Sequence, residues 1–474
     1  MTPALRDFDQ LPGPPLWPVV GNLLHVQPAR LHLQLEAWCR QYGPVFRLRL
    51  GRFGRVVVLG DHGPIAQLLR DRPDGFRRTS RVQDIWTEMG LLPGVFGANG
   101  EVWQRQRRMV MHGFDPAHVR GYHPQLQRVA QRLVARWRLA AAGGGDIDLQ
   151  ADLMRFTVDA IAGLAFGAEV DTLSSDEDVI QRHLNRLFPI LFRRVFSPLP
   201  WWRWVPNADN RALRESVPAI HAAVDGFIRQ ARDRLHADPA RRAAPGNLLE
   251  AMLVAADAPD SGIDDAQVAG NVLTMLLAGE DTTANTLAWL IHLLWLNPAE
   301  LARVRDEVRA VCCVDQAPSL DQLARLEHLE ACTHEAMRLK PVAPMNALQA
   351  LRPTELAGVR IEPGMVVMAA MRHDPMRDEL VPHASAFEPD RWRGEGGPAE
   401  AAHHPKRVSM PFGAGPRICP GRYLALLEIK TAMAALLTHF DIAHVGTANG
   451  QPPEEVLHLA MAPRGLRMRL QARG

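Results

Sequence analysis

The chain has 474 residues, 47% hydrophobic and 22% charged, with 54 Lys and Arg against 52 Asp and Glu. A net charge of +2 excludes a bulk nucleic-acid binder, and the composition is that of a globular protein with a large core. Five scattered cysteines, Cys39, Cys312, Cys313, Cys332 and Cys419, exclude a disulfide framework and point to a reducing cytoplasm.

The first residues carry Asp7 and Asp9 and no apolar run of the length that a signal peptide or membrane span needs. A proline-rich segment, residues 11–15, follows. Helical spacing over Leu31 to Tyr42 ends at Gly43-Pro44. Val45 to Leu50 then alternates, residues 51–54 turn, and Arg55 to Leu59 is β-branched, which predicts a hairpin. Helical patterns dominate from Pro64 to Leu339, with Gly- and Pro-rich breaks at 141–146 and 238–246. Strand patterns return over 354–369, 440–445 and 466–470. Residues 394–405 read as an exposed loop in which His403 and His404 are solvated. With no repeat and no low-complexity linker, the expectation is one large domain, mainly α, with a small β portion built from distant segments.

Four stretches stand out in chain order. Trp103 and Arg107 share a helix face at i, i+4, with Arg105 and Arg108 on the neighbouring faces. The plain reading is an amphipathic basic helix. Asp264 to Asn297 reads as one helix, capped by Asp264 or Asp265 and stopped before Pro298. Val268 to Leu277 is apolar nearly all round, so this helix should be buried and central. It is then interrupted by Ala278-Gly279-Glu280-Asp281-Thr282-Thr283. Unpaired polar groups there would cost about 2–7 kcal/mol each. Either the threonines bond back to i−4 carbonyls and bend the helix, or the stretch handles protons.

Glu335 and Arg338 are spaced i, i+3, and Phe387-Glu388-Pro389-Asp390-Arg391-Trp392 follows. Finally, Phe412-Gly413-Ala414-Gly415-Pro416-Arg417-Ile418-Cys419-Pro420-Gly421 precedes a helical run over 423–437. Each part has a use if Cys419 is a metal-bound thiolate. A helix N-terminus or a nearby Arg lowers a thiol pKa. Gly413 and Gly415 permit a tight turn that aims N–H groups at the sulfur. Gly421 leaves room for a flat ligand, and Pro420 removes a donor that a helix start does not miss. The alternative is a buried, inert cysteine.

The spacing Phe-Gly-x-Gly-x-Arg-x-Cys-x-Gly resembles the cysteine loop of the cytochrome P-450 family of haem-thiolate monooxygenases. The resemblance implies the fold of that family, with haem b between the long central helix and the loop. Cys419 would be the axial iron ligand, its thiolate favouring O–O cleavage. Asp281 and Thr282 would be the acid and the alcohol that pass protons through water to dioxygen, with Ala278 and Gly279 keeping the helix low. Trp103, Arg107 and Arg417 would hold haem propionates, for which a guanidinium is well shaped, and Phe412, Gly413 and Gly421 would line the cofactor. Glu335, Arg338 and Arg391 would form a buried triad supporting the haem loop.

The pattern departs from the family in two places. Residues 344–349 lack an arginine that usually serves a propionate, Leu348 or Gln349 standing at about that place. The segment before Phe387 is longer and lacks its usual tryptophan.

The implied activity is insertion of one oxygen atom from O2, by hydroxylation or epoxidation, into a fairly large, mostly apolar substrate. Electrons would come from a separate ferredoxin and reductase, since no flavin or iron–sulfur module is recognisable. A soluble bacterial type is expected, because no anchor precedes the proline-rich segment. A haem-thiolate isomerase or dehydratase, or a non-enzymatic haem sensor, are the alternatives. By analogy the pocket draws on residues 85–96, 188–196, 276–278, 342–346 and 459–461, with Arg193 and Arg194 the charged candidates. Trp201, Trp202 and Trp204, near the presumed entrance, are expected to be buried packing, the alternative being contact with a membrane or a carrier protein.

Overall fold

The central helix is Asp265–Leu296, and its start is set by a capping box. Asp264 accepts from the Gln267 amide at 2.7 Å while the Gln267 side chain returns to the Asp264 N–H. Pro298 opens the next helix, Pro298–Val311, where its missing N–H is harmless. The structure, a computed structural model, describes residues 5–473 apart from 52–53, 115, 169, 175–178, 198, 315, 394–403 and 459.

Two helical cores meet along this helix. Its first half, Val268 to Leu277, packs with helices Gly100–Gly113, Val179–Phe196, Ala208–Ala237 and Leu248–Ala256. Its second half, from Ala284, packs with His123–Ala142, Leu149–Phe166, Glu327–Leu339 and Arg422–His439. Residues 278–283 therefore fall at the seam between two apolar clusters, which is why a polar notch is tolerated there.

The β portion is assembled from distant segments, as the pattern predicts. The hairpin Val45–Arg49 and Arg55–Leu59 opens a five-stranded mixed sheet. Arg55–Leu59 runs parallel to Val366–Ala370, which pairs with Met345–Ala350, which pairs with Phe76–Arg78. In that last pair Arg78 lies opposite Leu348. Ile147–Asp148, Leu466–Ala472 and Phe440–Thr447 form a separate three-stranded sheet.

All five cysteines are free, and Cys39, Cys312 and Cys332 are buried. His404 is not simply solvated: its ring meets Trp392 edge-on and its Nδ1 accepts the Lys406 N–H at 3.1 Å. His403 and residues 394–402 lie outside the described residues. Among the described residues no helix is long and apolar enough to cross a membrane.

Glu428, on the helix behind the central one, is 1% exposed and hydrogen-bonded to the Thr283 side chain. Burial pushes its carboxyl up to about 8 from 4.5. Between those pH values the native state holds a proton that the unfolded chain has released, so stability falls as pH rises through the window. At about 1.4 kcal/mol per pH unit the span is on the order of 5 kcal/mol. Glu428→Gln, which mimics the protonated form, is expected to melt close to the parent at pH 5 and increasingly above it toward pH 8. A melting difference independent of pH would contradict this.

Candidate active site

The cysteine loop is shaped by two left-handed glycines, Gly413 at φ +74° and Gly415 at φ +70°. A Cβ on Gly415 would lie 2.6 Å from the Leu69 carbonyl oxygen and 2.8 Å from Arg70 Cα, so both conformation and space demand glycine. The Cys419 N–H donates to Phe412 O at 2.9 Å, and the Gly421 N–H donates to the sulfur. Gly421 caps helix Arg422–His439, and a Cβ there would make only ordinary contact with Phe114 at 3.6 Å. No protein atom therefore demands glycine at 421.

One expectation is reversed. Burial pushes the Cys419 thiol up, outweighing the lowering effects of the Gly421 N–H, Arg107 and Arg422. Desolvation of the charged form exceeds what one amide and two guanidiniums return. Ionisation of this sulfur calls for a cation bound to it.

Helix Gly100–Gly113 carries Trp103 and Arg107 toward the loop. Arg107 Nη2 donates to Ile418 O at 2.8 Å, and the Arg417 guanidinium lies over the Trp103 ring, 4.5 Å from its centroid. Arg417 Nη2 donates to Ala98 O at 2.6 Å, while its buried Nε has no partner. Burial, Arg72 and Arg107 push Arg417 down to about 10, and burial alone pushes Arg72 down to about 10. Among the described residues no carboxylate pairs with Arg72, Arg107 or Arg417. Buried cations are normally paired. This set of guanidiniums without carboxylate partners, one of them with an orphaned buried Nε, fits a dianionic metal cofactor such as haem. Arg105 turns toward the loop at Gly262, where a Cβ would lie 2.9 Å from its Nη1, so only Arg108 stays on the exposed face.

In the notch, Thr282 Oγ1 donates back to Ala278 O at 2.6 Å and Thr286 Oγ1 to Thr282 O at 2.8 Å. The local back-bonding predicted for threonines is thus present. Gly279 has a different reason from the one expected: a Cβ would lie 2.5 Å from Ile161 Cγ1, so close packing of helix Leu149–Phe166 requires it. Burial pushes the Asp281 carboxyl up to about 6, against hydrogen bonds from Asn285 and the Ala460 N–H. Asn285 Nδ2 donates to Asp281 Oδ1 at 2.6 Å, and Asn285 Oδ1 accepts from Gln150 at 2.9 Å. Sequence reasoning missed this Gln150–Asn285–Asp281 chain. The i, i+4 spacing of Asp281 and Asn285 was its one local signal, whereas Ala460 arrives only through tertiary structure.

Ala278 and Thr282 face a cavity of about 300 Å³. Trp86, Phe96, Leu191, Phe192, Val195, Phe196, Leu277, Ala460 and residues 342–346 line it, largely as anticipated. Leu459 and the Phe188 side chain lie outside the described residues. Leu50, Thr274, Val366, Met368 and Arg78 line it too, and were missed. The charged candidates are elsewhere: Arg193 pairs with Asp209 at 2.6 Å, and buried Arg194 bonds Asn210 and covers the Trp202 ring. Of the three loop tryptophans only Trp202 is buried. Trp201 and Trp204 are exposed, so the packing expectation fails for both.

The triad forms. Glu335, fully buried, accepts Arg338 Nε and Nη2 at 2.8 Å each, Arg391 Nε at 3.0 Å and the Glu388 N–H at 3.1 Å. Trp392 Nε1 adds a bond at 2.7 Å that the motif did not announce. Arg338 also donates to Pro375 O, Ala384 O and Ala386 O, closing the extended segment that leads to the cysteine loop.

A two-core helical body carries a half-buried cysteine loop and, at the seam of its central helix, a polar notch beside an apolar cavity. A sequence profile described as Cytochrome P450 matches residues 11–469, and the chain belongs to that family. It is 30% identical over 474 residues to cytochrome P450 714D1 of Oryza sativa subsp. japonica, covering 94% of this chain and 78% of that protein. It is 26% identical over 450 residues to the self-sufficient cytochrome P450 monooxygenase CYP505E5 of Aspergillus niger, covering 92% of this chain and 41% of that protein. The crystal structure of the cytochrome P450DA heme domain superposes with a TM-score of 0.83 at 25% identity, covering 99% of each chain. The chain is thus a P450 oxygenase with heme b as its cofactor. These plant and fungal relatives leave the bacterial-type expectation without support.

Proposed function

We propose that the protein inserts one atom of dioxygen into a fairly large, mostly apolar substrate, by hydroxylation or epoxidation, within a single catalytic domain. The observation that carries this reading is Thr282 in the lining of an apolar cavity, with the Asp281 carboxyl, pushed up to about 6, next to it in the chain. Haem b, held through Cys419, supplies the iron at which dioxygen is activated. Trp103, Arg107 and Arg417 would hold its carboxylates, and Phe412, Gly413 and Gly421 would line it.

Asp281, pushed up to about 6, can hold or release a proton near neutral pH, and Asn285 fixes its orientation. Thr282 gives its hydroxyl to Ala278 O, and offers it to the cavity when that bond opens. Ala278 keeps the neighbouring wall short, while the aliphatic lining excludes water. Electrons come from a separate donor such as a ferredoxin with its reductase, for which exposed Arg108 is a docking candidate. The free cysteines suit the cytoplasm.

The test is turnover of a bound lipophilic compound under isotopically labelled dioxygen, with one labelled atom expected in the product. A rearranged or dehydrated product without label would favour the isomerase or dehydratase reading. Asp281→Asn is expected to slow oxygenation about 100-fold while leaving the substrate-induced Soret shift unchanged. Loss of that shift instead would assign Asp281 to substrate binding.

A further inference from the structure

We propose that Glu300, His328 and Cys332 form a site for a zinc ion that joins helix Pro298–Val311 to helix Glu327–Leu339. His328 and Cys332 stand i, i+4 on the second helix, so one turn places both side chains on the same face. Glu300 meets them from the first turn of the other helix. Its Oε2 lies 2.8 Å from His328 Nε2, and the Cys332 sulfur lies 3.8 Å from that nitrogen. The three donor atoms all fall within 4.8 Å of one another. Zinc bonds of about 2.0–2.2 Å to nitrogen and oxygen and about 2.3 Å to sulfur set tetrahedral donors roughly 3.3–3.6 Å apart. The observed separations straddle that range, so shifts of about half an ångström close the site.

A buried cysteine ordinarily packs as a small hydrophobe, and Cys332 does border the apolar core. Its polar surroundings are those of a ligand. Glu300, Glu307 and Asp390 act on the thiol against one guanidinium, Arg303, a surplus of negative charge that a divalent cation answers. Glu307 is taken up by the His328 and Leu329 N–H groups, which makes it a neighbour and not a ligand. His328 is 3% exposed, and burial favours the neutral ring in which imidazole binds metals. Its Nδ1 has no partner among the described residues, so no bond there fixes the tautomer and Nε2 is able to present its lone pair. The carboxylate is oriented from behind. Arg303 Nη1 donates to both Glu300 oxygens at 3.1 Å, and Asp390 holds Arg303 at 2.8 and 2.9 Å. Sulfur with imidazole and one carboxylate selects zinc over magnesium or calcium. Binding releases the thiol proton to solvent as the sulfur–metal bond forms. The same helix carries Glu335 and Arg338, so the ion clamps the element that bears the buried triad.

Holoenzyme stripped of loosely held metal is dialysed against zinc chloride, and bound zinc is measured in the parent, Cys332→Ser, Glu300→Gln and Cys313→Ser. The parent is expected to keep about one zinc per chain, and on binding it to release about one proton more than Cys332→Ser. Cys332→Ser and Glu300→Gln each weaken binding at least about tenfold. Glu300→Gln, at a side chain 19% exposed, carries the test if the buried serine variant does not fold. Cys313→Ser, which removes an exposed thiol, matches the parent. Zinc raises the melting temperature of the parent and not that of Cys332→Ser. A parent that keeps no zinc, variants at 300 and 332 that bind as tightly as the parent, or zinc lost with Cys313 alone overturns the inference. So does magnesium that displaces the zinc at equal concentration. None of these readouts involves haem, so this inference and the functional reading fail separately.

Discussion

Cys419→Ser is expected to abolish the red-shifted Soret band of the reduced carbon monoxide complex while the protein still folds and takes up haem. The backbone bond from residue 419 to Phe412 O and the left-handed turns at Gly413 and Gly415 do not involve the sulfur. Arg107 and Arg417 are likewise tied to backbone carbonyls of Ile418 and Ala98, so the residues proposed to hold the cofactor's carboxylates stay in place. What is lost is thiolate donation, and oxygenation should fall more than about 1000-fold, equivalent to roughly 4 kcal/mol of barrier. The measurement is the difference spectrum of dithionite-reduced protein with and without carbon monoxide. A parental band in the serine variant would mean that another residue ligates the iron.

Glu335→Gln should be costly in a different way. The carboxylate receives four side-chain donors and one backbone N–H, and its side chain and that of Arg338 are both wholly buried. Neutralising it strands two guanidiniums, at a loss of about 3–5 kcal/mol. Expression should yield little holoenzyme, and the soluble fraction should unfold at markedly lower temperature or denaturant. Arg391→Lys, at a side chain 11% exposed that keeps its charge, should lose less. The folded fraction of either variant should still give the parental carbon monoxide spectrum, because the triad touches no atom of the cavity floor. A variant of full stability with an altered spectrum would contradict the structural role.

These two predictions rest on features that were legible in the residues alone. The cysteine loop, the capped central helix and the i, i+3 pair are local patterns, in which a positive φ, a capping side chain or one helical turn decides the geometry. The sequence by itself thus determined the turns of the cysteine loop, the capped central helix and the salt-bridged brace. Other features depended on what distant segments bring together. Gly279 is required by Ile161 of another helix, and Asp281 is held by the Ala460 N–H of a far loop. The thiol of Cys419 is pushed up rather than down, because desolvation is set by everything packed around it and not by its neighbours in the chain. Arg78 was unremarkable as a residue before a helix, and only strand register set it opposite Leu348 and beside two other cations. Tertiary structure alone decided these points, since burial, register and the summed field of separate segments have no local signature.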